Sequence, residues 1–168
     1  MRILSLPLLL LATAALWGQE AHGHKAHVHG VASLDLAIEG RTLTAIFESP
    51  ADSIMGFEHA AKTPEEKKKQ AEALARLKAR FGEMLLLPAT AQCTWKAAKA
   101  EVHVHGSHAD VEAEFTAECK GPLNRGEIRF AFMKVFPDVH ELKIQLIGPG
   151  QQTGATIKHD EGSVKLGK

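Results

Sequence analysis

From Val31 to Glu39 the residues alternate in character: Ala32, Leu34, Leu36 and Ile38 are uniformly apolar, while Val31, Ser33, Asp35 and Ala37 between them are mixed. An apolar residue at every second position marks a strand with one buried face. Gly40-Arg41 supplies a turn, and residues 42–48 read as a second strand closed by Ser49-Pro50, so the pair forms a hairpin. Residues 49–60 fit a short helical turn or a structured loop. Thr63-Pro64-Glu65-Glu66 then joins an N-cap threonine, a proline at the first helical position and a glutamate at the third, which predicts a helix from 64 to about 80 with Gly82 as its stop. Leu74, Leu77 and Phe81 make its buried stripe, and Glu65 with Lys69 and Glu72 with Arg76 are spaced for ion pairs. The Lys67-Lys68-Lys69 run is a solvated helix face.

The rest of the chain reads mainly as strands. Residues 84–87 are a brief apolar run ended by Pro88. Residues 92–104 and 110–119 are extended patterns on either side of His105-Gly106-Ser107-His108. In the second of them Val111, Ala113, Phe115, Ala117 and Cys119 share a face opposite Asp110, Glu112, Glu114, Thr116 and Glu118. Residues 127–136 fit a strand and a short helix equally. Residues 142–147, the turn Gly148-Pro149-Gly150 and residues 154–158 suggest another hairpin, with an edge strand near 164–166. The class this predicts is α+β, a mostly antiparallel β-sheet domain with one main α-helix and a flexible histidine-rich N-terminal tail.

Met1-Arg2 and the apolar run 3–16, followed by small residues, have the form of a secretory signal peptide, too short to span a membrane. The organisation expected is a leader over 1–18, cleaved somewhere between 15 and 21, a histidine-bearing tail over 19–30 and one β-rich domain over 31–168. Export implies an oxidising compartment, in which two cysteines without C-x-x-C spacing favour a disulfide between Cys93 and Cys119. The strand pattern agrees, because a hairpin turning at Gly106 places Cys93 directly opposite Cys119, Trp95 opposite Ala117 and Ala97 opposite Phe115. Ala98, Ala100 and Val102 point to a bulge that shifts the face nearer the tip. The bridge would then help to hold the tip histidines in place.

The 20 basic and 20 acidic residues cancel, and outside the helix neither sign forms a block, which argues against nucleic acid or an anionic membrane as partner. The one extreme in the composition is ten histidines against no tyrosine. Four of them, His22, His24, His27 and His29, crowd one short stretch spaced with Gly, Lys, Ala and Val, unlike an uninterrupted tag. The H-V-H-G that ends this stretch recurs as His103-Val104-His105-Gly106, with His108 close behind. Imidazole is the commonest protein ligand for transition metals, and in an extended chain residues i and i+2 project to the same side about 6.5 to 7 Å apart. These seven are candidate metal ligands, and His59, beside Glu58, is an additional one. No H-E-x-x-H, G-x-S-x-G or phosphate-binding glycine pattern is present, so the expectation is a binding protein and not an enzyme.

Several of these features occur together in one family. The spaced histidines of 22–30, Ser49-Pro50 followed by Gly56-Phe57-Glu58-His59-Ala60, the helix opening Thr63-Pro64-Glu65-Glu66-Lys67, His108-Ala109-Asp110, and Phe136-Pro137 leading to Gln145-Leu146 and Gly154-Ala155-Thr156 resemble the ZrgA-like family of periplasmic histidine-rich proteins. The resemblance covers nearly the whole mature chain. It implies periplasmic binding of Zn2+ in support of a zinc importer, no membrane insertion after leader cleavage, and a β-rich domain. Ligand type alone leaves copper(II) or nickel trafficking open, since imidazole serves all three ions. Copper(I) is disfavoured because only Met55, Met84 and Met133 remain after export, and they are dispersed. A structural adaptor β-domain whose histidines merely solvate the surface is the remaining alternative.

Overall fold

The computed structural model describes residues 28–160 and 162–167, so the leader and His22, His24 and His27 lie outside the described residues. Along the chain the elements are β1 (Val31–Glu39), β2 (Thr42–Pro50), α1 (Ala51–Met55), α2 (Pro64–Met84), β3 (Leu85–Leu86), β4 (Cys93–His105), β5 (His108–Cys119), β6 (Gly126–Phe130), β7 (Glu141–Gly148), β8 (Gln151–Ile157) and β9 (Gly162–Leu166). Six strands form one sheet in the order β4-β5-β2-β1-β7-β8, and β3-β6-β9 form a second. Every neighbouring pair is antiparallel except β1 and β7, which run parallel from Val31 opposite Glu141. The fold is the expected α+β class with one main helix. The segment 127–136 resolves into both of its alternatives, strand β6 followed by a 3-10 turn at Phe132–Lys134.

The even-numbered face of β1 is buried as its alternation requires, together with Leu43, Ala45 and Phe47 of β2 and Val111, Ala113, Phe115 and Ala117 of β5. Helix α2 seals this face at one end. Its stripe is Ala73, Leu77, Phe81 and Met84, with Leu74 only half-buried at the margin. Phe81 stacks on Phe115 with ring centroids 3.5 Å apart and meets Trp95 edge-on at 5.0 Å. The second sheet adds Leu85, Ile128, Phe130, Val164 and Leu166 to the core.

The helix does not stop at Gly82 but runs on to Met84. A Cβ at position 82 would lie 2.7 Å from Trp95 Cδ1, so this glycine lets the helix approach β4 closely and is not a cap. The ion pairs on the helix also differ from the spacing argument, being Lys68–Glu72 at 3.8 Å and Arg80–Glu83 at 2.8 Å. Arg76 lies instead over the Phe136 ring, 4.8 Å from its centroid.

The helix start is as expected. Thr63 Oγ1 accepts from Glu66 N at 3.1 Å, and Glu66 Oε2 accepts from Thr63 N and Lys62 N at 2.9 and 2.8 Å. The backbone donors of Thr63 and then Lys62, helped by His59, hold the Glu66 carboxyl down at about 2 against an ordinary value of 4.5. A depressed carboxyl stabilises the fold above its ordinary value, and that contribution is lost as pH falls through the depressed one. In thermal melts, Glu66→Gln should therefore lie below wild type at neutral pH, with the gap closing between pH 4.5 and about 2. A gap unchanged across that window would contradict the assignment.

Hairpin β4–β5 follows the predicted pairing. Cys93 opposes Cys119 and Trp95 opposes Ala117; the register shifts between Lys96 and Lys99, and beyond the shift His105 opposes His108 across Gly106-Ser107. Ala97, expected opposite Phe115, falls within this bulge. The disulfide is formed. It closes the base of the hairpin, eleven residues along β5 from His108 and so about 36 Å from the tip at roughly 3.3 Å per residue.

Candidate metal centre

Strand directions decide where the histidines go. β1, β5 and β7 begin at the same end of the large sheet at which β2, β4 and β8 finish. His29 and His140 precede β1 and β7, His108 opens β5, and His103 and His105 close β4. His159 follows β8, while His59 lies in the loop that leaves this end through β2 and α1. All seven histidines among the described residues thus gather at one end, and His27 stands two residues before His29 in the sequence.

Four side chains there touch one another. Glu58 Oε2 lies 2.8 Å from His29 Nε2 and 3.3 Å from His108 Nδ1, and Asp52 Oδ2 lies 3.1 Å from His29 Nδ1. His108 first and His29 second hold the Glu58 carboxyl below its usual range by hydrogen bonding. The backbone around them is fixed. Gly30 N donates to the buried Ser53 Oγ at 3.1 Å, Ser53 Oγ donates to Asp52 Oδ1 at 3.2 Å, and Gly30 O accepts from His140 N and Glu141 N. Gly30 has a φ of 77°, and a Cβ there would meet the His140 ring at 2.7 Å, so conformation and space both call for glycine.

His103 and His59 have partners outside this cluster. His103 Nε2 is 3.6 Å from a Glu112 carboxylate oxygen and 3.9 Å from Glu101, on the outer face of the sheet. His105, two residues on, shares that face and opposes His108 in register. His59 is engaged elsewhere, its Nε2 lying 3.0 Å from Glu66 Oε1 and its ring against Phe57 at 5.2 Å. His22, His24 and His27 lie outside the described residues.

Sequence reasoning put His59 forward beside Glu58; in the structure Glu58 touches His29 and His108, and His59 bonds Glu66. Asp52 was not singled out at all. The signal that could have found it is helical spacing, since Asp52 sits in the first turn of a short helix that must fold back over Gly30 once Pro50 ends β2. Among the described residues no group of three His, Cys, Asp or Glu side chains already stands in metal-binding geometry. The four form a contact cluster of two imidazoles and two carboxylates, a donor set suited to a borderline divalent ion. No helix among the described residues is long and apolar enough to cross a membrane.

The chain matches a known family. The family described as ZrgA family zinc uptake protein matches residues 26–166, from within the histidine stretch to the end of β9. No individually curated protein matches the chain.

Proposed function

The chain belongs to the ZrgA family of zinc uptake proteins, and from that premise we propose that it is a periplasmic zinc-binding protein that captures Zn2+ through its histidines and passes it to a component of a zinc importer. The observation that carries this reading is the gathering of seven histidines at one end of the sheet, directly after three more in sequence. Random placement would scatter them over both ends and both sheets. A carrier must take up and give up its ion, and half-exposed imidazoles on a rim suit that exchange better than a closed cage. An enzyme would instead need an acid or base placed beside the metal in a water-excluding pocket.

The test is calorimetric titration of the zinc-stripped protein with zinc, copper(II) and nickel(II). Zinc is expected to bind with more than one ion per chain, and a chain lacking residues 22–27 should bind fewer while melting at the same temperature in metal-free buffer. Imidazoles bind metal only when deprotonated, so zinc retention should fall as pH drops through roughly 6.5 toward 5. Preference for copper(II) or nickel(II) at equal concentration would favour the trafficking alternative, and no binding at all would leave the structural adaptor.

A further inference from the structure

We propose that His29 Nε2, Glu58 and His108 Nδ1 are the protein ligands of one tight zinc site, with Asp52 positioning His29 and the fourth coordination position open. This deepens the zinc reading above and rests on it. Asp52 Oδ2 stands 3.1 Å from His29 Nδ1, placed to accept a hydrogen bond from that nitrogen when Nε2, which faces Glu58, is the one that binds metal. A carboxylate behind a ligating imidazole is the usual outer-shell partner of a zinc histidine. Two nitrogens and one oxygen with an open position form a donor set that zinc uses where its fourth ligand must exchange.

Distances favour the same set. In a tetrahedron with bonds of about 2.0 to 2.1 Å, neighbouring ligand atoms lie about 3.3 to 3.4 Å apart. His108 Nδ1 and Glu58 Oε2 are already 3.3 Å apart, and His29 Nε2 at 2.8 Å has only to withdraw by about half an ångström. All three side chains are at least a third exposed, so rotamer adjustment meets little packing. The ion would enter where the two hydrogen bonds to Oε2 now converge. His59 is instead joined to Glu66 in the helix cap, and the carboxylates near His103 lie beyond hydrogen-bond length. The site also joins the first H-V-H-G stretch, through His29, to His108 just beyond the second.

The experiment titrates the zinc-stripped full chain with zinc by calorimetry and with cobalt(II) by its visible spectrum. Glu58→Gln and His108→Ala are each expected to weaken the tightest site by about a hundredfold or more, at least as much as losing an outer-shell partner costs. Both should abolish the tetrahedral cobalt band while leaving the melting temperature of the metal-free protein unchanged. His103→Ala, on the outer face, should leave both readings within threefold of wild type, on the order of experimental scatter. Asp52→Asn should weaken binding about tenfold and shift the cobalt band without abolishing it; an unchanged band would remove Asp52 from the site. If the tight site survives Glu58→Gln and His108→Ala but disappears on deletion of residues 22–27, the ligand assignment is overturned and the zinc reading stands. Wild-type protein that binds neither ion overturns the zinc reading itself.

Discussion

Replacing Cys93 and Cys119 by serine should lower the melting temperature by roughly 10 to 15 °C and leave the tightest zinc affinity unchanged wherever the protein remains folded. The bridge spans a sequence separation of 26, and cross-linking a loop of that size restricts the unfolded chain by about 3 to 4 kcal/mol in the chain-entropy model. For a body of about 140 residues, each kcal/mol moves the midpoint by about 3 to 4 °C. The sequence pattern suggested that the bridge also holds the tip histidines, but it lies at the other end of the hairpin. Between the two ends β5 is paired on both sides, with β4 and with β2, so the tip takes its position from those ladders. Differential scanning calorimetry and zinc titration at 20 °C check the two halves separately. An affinity loss beyond about threefold with the melt as expected would show that strain travels the length of the hairpin; a thiol assay finding both cysteines free in the native protein would remove the argument at its root.

Phe81→Ala should be comparably damaging, by about 3 to 5 kcal/mol. Phe81 is almost wholly buried, and its ring is the meeting point of Phe115 on β5, Trp95 on β4 and Phe132, whose centroid is 5.9 Å away. Truncation leaves a cavity that three aromatic rings cannot close together, whereas Leu74→Ala at the half-buried margin should cost less than half as much. Urea denaturation should show a lower midpoint with an unchanged slope. A midpoint equal to that of Leu74→Ala would mean that the helix is held elsewhere.

What could be read from the sequence was what is encoded locally. The alternation in β1, the capping box of α2 and the turn at Gly106 each involve residues within a few positions of one another, and each appears as expected. The Cys93–Cys119 register was legible from the cysteines and the apolar face at the base of the hairpin; the one-residue shift at the bulge before Lys99 reconciles that pairing with the two-residue turn at Gly106-Ser107. Gly82 misled because a glycine near a helix end has two physical uses, and the choice between them depends on Trp95, a residue outside the helix. The candidate site was half legible. Its histidines stood out by type and spacing, but Glu58 and Asp52 join them only because β2 ends beside the start of β1 and β5, and no local pattern carries that information. The parallel pairing of β1 with β7 was equally hidden, since it depends on which strands meet across the whole chain.

That pairing sets the order in which the protein can be built. His29 stands at the head of a strand seated between β2 and β7, and Gly30 O is held by the backbone of His140 and Glu141, so the first and last thirds of the chain meet there. Pairings of such long sequence separation form late, because loop closure must precede any gain from contact. A growing chain therefore carries these histidines long before this end of the sheet is assembled, and zinc present at that stage would meet single imidazoles in an unfolded polymer. A chain cut short before β7 would still contain His29, Glu58 and His108, yet it would lack the strand that seats the first of them.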